Sequence, residues 1–192
     1  MKQYKKEKRY RFWTSFTVLL LYAGLSAFGI YHWLTSGVRA INEGIQSTIG
    51  EVKTVVSDFS VTDSDVKVYG YKREIKLNGE NAEVQTTIGK IAQNTFTYQE
   101  DVDYAIVEGL KGEDVFSLNL LGVFFEYEVN ENVLSGTIKA KDIDEFFGIE
   151  DAKAQTDATV TLTLDGERLV GVTVTYGMVG GKEVNLTVTY AY

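Results

Sequence analysis

From Thr159 to Tyr192 apolar and small polar residues alternate with a period of two, and this constrains the fold more than any other feature. Val160, Leu162 and Leu164 alternate with Thr159, Thr161 and Thr163. Asp165-Gly166 then turns the chain, and Val170, Val172, Val174 and Tyr176 alternate with Thr173 and Thr175. Gly180-Gly181 turns it again before Val184, Leu186, Val188, Tyr190 and Tyr192. One apolar and one Thr-rich face per strand is the pattern of an antiparallel sheet buried on one side. Such a sheet needs a cover.

Earlier segments carry the same period. Tyr69, Tyr71, Ile75 and Leu77 lead into Asn78-Gly79, the dipeptide suited to a type I′ hairpin turn, and Ala82, Val84, Thr86 and Ile88 line the return. Thr95–Tyr98 reads as a third strand, Tyr104–Val107 as a short fourth and Val115–Leu121 as another. Val123, Phe125, Tyr127 and Val129 share one face opposite Glu126 and Glu128, and Leu134, Ile138 and Ala140 follow a turn at Asn130–Asn132. Two helices are available as covers. Ile41, Ile45, Thr48, Val52, Val55 and Phe59 recur at steps of four and three, which predicts a helix over Gly37–Phe59. Asp142 and Glu145 form a capping-box-like start for a short helix to Phe147, ended by Gly148.

The front of the chain reads differently. Lys2, Lys5, Lys6, Lys8, Arg9 and Arg11 precede an apolar run from Phe12 to Leu34, long enough to cross a bilayer as a helix. Basic residues on that side place the amino terminus in the cytoplasm and the rest outside. The expected organisation is a basic tail over 1–11, a membrane helix over 12–34, a juxtamembrane helix and connection over 35–64, and an extracytoplasmic β domain over 65–192. The expected fold class is α+β: a curved, half-barrel-like antiparallel sheet behind a transmembrane helix, covered by one long and one short helix. The expected location is a prokaryotic plasma membrane, crossed once. The first eleven residues carry net +5, whereas those after Arg39 carry net −14, from twelve basic and twenty-six acidic side chains. That acidic domain repels nucleic acid and anionic lipid surfaces.

Catalytic chemistry finds little footing. His32, the sole histidine, sits at the end of the apolar run, and Cys is absent, so His- or Cys-based nucleophilic sites and the usual zinc sites are excluded beyond it. Glu126 and Glu128 share a strand face, the ordinary pattern of a solvated surface. Asp63-Ser64-Asp65 and Asp101-Val102-Asp103 lack the rest of a calcium loop, and Gly177–Gly181 opens no helix to hold a phosphate. The expectation is a chain that is not an enzyme, with no metal and no cofactor.

Aromatic side chains are the remaining resource, since a curved sheet under few helices can leave an apolar cavity. The run Leu134-Ser135-Gly136-Thr137-Ile138-Lys139-Ala140, a short helix, and then Ala158 to Val170 with Asp165-Gly166 at its turn resembles bacterial lipoprotein carriers of the LolA/LppX/LprG type. That resemblance implies an open half-barrel holding acyl chains, although this chain has no Cys to lipidate. The expected lining is Val123, Phe125, Tyr127, Val160, Leu162, Val172, Val174, Leu186 and Val188. The expected function is therefore a single-pass, membrane-anchored extracytoplasmic binding domain that holds a lipid or other apolar ligand between sheet and helix. The alternative is a non-catalytic scaffold or assembly subunit that contacts other membrane or envelope proteins, with the 37–59 helix as its contact.

Overall fold

The computed structural model describes residues 36–93, 95–115, 127–143 and 153–192. The chain divides into two compact units, residues 1–39 and 40–192, and almost all described residues belong to the second. One helix, α1 (Ser36–Thr48), bridges into a 3-10 turn at Ile49–Glu51. Among the described residues nine strands follow: β1 (Thr54–Asp63), β2 (Val66–Asn78), β3 (Asn81–Ala92), β4 (Thr95–Glu108), β5 (Tyr127–Asn130), β6 (Val133–Ile138), β7 (Ala158–Asp165), β8 (Arg168–Met178) and β9 (Lys182–Ala191). They form one sheet in the order β4-β3-β2-β1-β9-β8-β7-β6-β5, with every neighbouring pair antiparallel.

Tight turns with local causes make the meanders. Ser64 and Asp65, both at positive φ, form the two-residue loop between β1 and β2, so Asp63–Asp65 is hairpin chemistry. Gly79 at φ +70° and Glu80 join β2 to β3 where Asn78-Gly79 predicts a turn. Gly166 at φ +61° does the same between β7 and β8.

Register assigns the faces. Val160 of β7 pairs with Val174 of β8, Val174 with Leu186 of β9, and Leu186 with Phe59 of β1. Phe59 pairs with Tyr71 of β2 and Tyr71 with Ile88 of β3, so one apolar row crosses six strands. Burial along this row is uneven. Val160 and Val174 are closed from solvent, whereas Phe59, Tyr71, Leu186 and Ile88 are half-buried. The core sits around β6–β9, with Leu134, Ile138, Leu162, Leu169 and Val184 fully buried beside Ile45 and Ile49. In β2–β4, by contrast, the buried positions among the described residues are Gly70, Ala82 and Gly89. This half of the sheet is an open wing.

The structure corrects the expected α+β half-barrel. The fold is mainly antiparallel sheet, and the described helix is 13 residues long rather than a cover running to Phe59. Val52, Thr54, Val55 and Val56 explain the early stop, because β-branched residues lose side-chain freedom in a helix and suit a strand. Val55 and Phe59 therefore lie in β1, paired with Tyr190 and Leu186. A 3-10 turn over Ala140–Asp142 leads into Ile143, which is helical, and the rest of the short helix expected to Phe147 lies outside the described residues. Among the described residues no helix is long and apolar enough to cross a membrane, and the expected span over 12–34 lies outside them. The third and fourth expected strands are one strand, β4. A bulge between Thr163 and Leu164 puts Leu169 opposite Leu164, so Leu169 rather than Val170 enters the core.

The uneven core makes a stability prediction. Leu162→Ala should cost about 2–5 kcal/mol, the range for deleting a closed leucine side chain. Ile106→Ala, on the open wing, should stay within about 0.5 kcal/mol. Chemical denaturation of the two variants checks the contrast.

Candidate functional site

The expected apolar lining separates into three groups. Val160, Leu162, Val172, Val174, Leu186 and Val188 do lie side by side on one face of β7–β9, through the pairs Leu162–Val172–Val188 and Val160–Val174–Leu186. The first four are closed from solvent, and Leu186 and Val188 are half-buried. Tyr127 is in β5, whereas Val123 and Phe125 lie outside the described residues, as does Glu126. The helix stripe is likewise packed: Ile45 and Ile49 are closed from solvent, Thr48 Oγ1 donates 3.2 Å to Glu167 O, and Arg168 reaches Glu51 at 3.0 Å. These contacts seat the end of α1 on the β7–β8 turn.

The opposite, polar face holds a feature that sequence reading missed. An open depression of about 400 Å³ is lined by Asp58, Ser60, Thr62, Lys67, Asn185 and Thr187. Cross-strand pairing between β1 and β9 assembles it, placing Asp58 opposite Thr187 and Ser60 opposite Asn185. Asn185 is held by Thr175 Oγ1, which donates 2.9 Å to its Oδ1, while its Nδ2 donates 2.8 Å to Glu183. Ser60 is buried to 5% exposure.

A tyrosine from the far strand reaches the same carboxylate. Tyr98 of β4 donates its hydroxyl 3.1 Å to Asp58 Oδ1 on β1, across β3 and β2. Two paired glycines make room. Gly70 sits opposite Gly89, and a Cβ on Gly89 would collide with the Phe96 ring and come within 3.0 Å of Tyr98. Phe96 and Tyr98 pack edge to face at 5.3 Å, and the Lys72 ammonium lies 4.8 Å from the Tyr98 ring centre and 3.8 Å from Asp58. Burial, the Asp58 charge and its hydrogen bond together push the Tyr98 phenol up to about 12. The arrangement ties the wing to the centre of the sheet. It contains no nucleophile–base pair, and among the described residues no group of three or more His, Cys, Asp or Glu could hold a metal.

The third feature is the wing's outer margin. Among the described residues β4 ends the sheet, and it exposes Val102 at 49%, Tyr104 at 55% and Ile106 at 62% on one face. On the other face Phe59 stacks on Tyr71 at 5.1 Å and meets Tyr69 edge-on at 6.3 Å, with Tyr69 exposed.

Neither a protein-family model nor a curated protein matches the sequence. Among solved structures, the chain is similar to an N-terminal dehydratase from the difficidin assembly line, at 9% identity over 82% of this chain and 84% of that one. The TM-score of 0.19 is too low to argue fold or activity from it.

Two outcomes test the Tyr98 arrangement. Gly89→Ala should destabilise by about 1–3 kcal/mol through overpacking, and less so in a Phe96→Ala background, where the colliding ring is gone. A double-mutant cycle by denaturation measures this. The folded pKa of Tyr98 lies above the ordinary 10.0, so its contribution to stability is fully present below that value and lost as pH rises through about 12. An ultraviolet titration of the wild type minus Tyr98→Phe should show this late phenol, moved down by Asp58→Asn.

Proposed function

We propose that this chain is a membrane-anchored, extracytoplasmic, non-catalytic scaffold or assembly subunit, and that its β2–β4 wing is the part that contacts a partner protein. The observation that carries this reading is the contrast within one sheet. The expected ligand residues Val160, Leu162, Val172 and Val174 are packed shut, whereas β4 leaves Val102, Tyr104 and Ile106 exposed on a margin that no other strand among the described residues pairs with. Exposed contiguous apolar groups mark interaction sites in stable proteins. The 37–59 segment is a poor contact because its stripe is buried at Ile45, Ile49, Val52 and Val55. Support for the anchor comes from the sequence: the basic residues of 1–11 and the apolar run of 12–34.

The apolar-carrier reading keeps one supporting observation, the adjacency of Val160, Leu162, Val172, Val174, Leu186 and Val188. One experiment separates the two. The full chain, extracted from its membrane in a mild uncharged detergent, should migrate in a native gel well above its own mass of 21.4 kDa after allowance for the micelle. The triple change Val102→Ser, Tyr104→Ser and Ile106→Ser should collapse it to the single-chain position without loss of fold. A single-chain position for the wild type, with one lipid per chain on organic extraction, would replace the scaffold reading with the carrier reading.

A further inference from the structure

The margin of β4 offers more than apolar side chains, because its backbone hydrogen-bonding groups can be assigned from the ladder. Gly109 N donates 2.8 Å to Glu80 O, next to the pair Asn81–Glu108. Hydrogen-bonded and non-bonded pairs alternate in an antiparallel ladder. Val107, Ala105 and Asp103 therefore bond inward to Ala82, Val84 and Thr86 of β3, while Glu108, Ile106, Tyr104 and Val102 direct N–H and C=O away from the sheet. The tight β2–β3 turn agrees: Asn78 and Asn81 close it, so Asn81 bonds toward β2 and not toward β4.

Edge strands are usually blunted by lysine, proline or shortness. β4 lacks lysine and proline and is not short, and the one register shift in its ladder, between Tyr98 and Val102, lies before the Val102–Glu108 segment. The strand is 14 residues long, without Pro, Lys or Arg, and carries Glu100, Asp101, Asp103 and Glu108. Among the described residues no further strand pairs with it. A second copy of the chain is a poor occupant, because two such strands would bring eight carboxylates together at the join of two strongly acidic domains. The free groups call for a strand and the exposed Val102, Tyr104 and Ile106 for apolar residues at alternate positions, while Asp103 on the opposite face, with the acids at 100, 101 and 108 at the two ends of the segment, favours cations at the others.

Resting on the scaffold reading above, we propose that the outer edge of β4 from Val102 to Glu108 receives, as an added strand, a partner segment alternating apolar residues with Lys or Arg. Backbone bonds hold it, its cations share the face of Asp103, and the acids at both ends of the segment add to the attraction.

The probe is a peptide of about eight residues, a typical strand length, alternating Lys and Val, with a Glu/Val peptide as control. It is added to the full chain in uncharged detergent. Binding by fluorescence anisotropy should favour the Lys peptide by tenfold or more, a preference of about 1.4 kcal/mol or greater, and should weaken at high salt. Amide exchange should slow at Val102, Tyr104, Ile106 and Glu108, the residues whose groups face outward. Tyr104→Pro removes one outward N–H and spares the β3 ladder, so it should keep the fold and lose the binding. Exchange measured on wild-type protein carries the test if that variant unfolds. Equal binding of both peptides, slowed exchange elsewhere only, or undiminished binding to folded Tyr104→Pro would each overturn the proposal. So would protection of these amides by self-association without peptide. If the native complex exists but survives Tyr104→Pro, this inference falls alone; if no complex exists, the scaffold reading falls.

Discussion

The pairing of β1 with β9 is the contact on which the rest of the sheet depends. Each other described pairing joins strands that are neighbours in sequence, whereas Thr54–Asp63 meets Lys182–Ala191 across more than a hundred intervening residues. Closing so long a loop costs entropy that grows only slowly with length, and ten paired positions offset it. Lys53 extends the same seam, donating its N–H to Ala191 O and accepting from Leu77 N, both at 2.8 Å. Without the seam the strands are two separate meanders. With it, the apolar row runs from Val160 to Ile88, and Asp58 and Ser60 stand beside Thr187 and Asn185.

The two meanders are stabilised by different means. Around β6–β9 closed side chains supply the hydrophobic driving force, on the order of 25 cal/mol per Å² buried. In the wing, Gly70, Ala82 and Gly89 are the buried positions among described residues, so long ladders and cross-strand contacts carry more of the load. Arg73 donates 3.2 Å to Thr86 Oγ1, Lys72 bridges to Asp58, and Phe59 stacks on Tyr71. Exposed ion pairs contribute little individually. The Tyr98–Asp58 bond matters more because it crosses two intervening strands and fastens the margin to the seam.

Legibility in the sequence followed locality. The β7–β9 hairpins and the Asn78-Gly79 turn were readable because strict alternation and turn residues lie within a few positions of each other. β1 was misread. Its residues Val55 and Phe59 fit a helical spacing as well as a strand, and only pairing with Tyr190 and Leu186 decides between them. The Val170–Leu169 exchange was hidden for the same kind of reason, since one bulge inverts the faces beyond it. The polar depression was least legible. Asp58 and Tyr98 are 40 residues apart, and what brings them together is the opposition of Gly70 and Gly89, set by register across three strands. A glycine within a strand does signal close approach, and both glycines were available as that clue.

Why an open margin is tolerable follows from its charge. A long exposed edge with Val102, Tyr104 and Ile106 beside it is an invitation to pair with other copies. Lysine at such an edge would repel a cationic strand, and proline would remove a backbone donor that any added strand needs. Carboxylates act more selectively. They raise the cost of bringing two identical edges together, as they do for any acidic strand, yet they attract a cationic one. Inward-bonded Asp103, Ala105 and Val107 hold the strand in place from the β3 side, so leaving the outer groups unpaired does not cost the ladder. Under the proposal above, the acids of β4 work against the pairing of two like edges and favour a cationic strand in the same place.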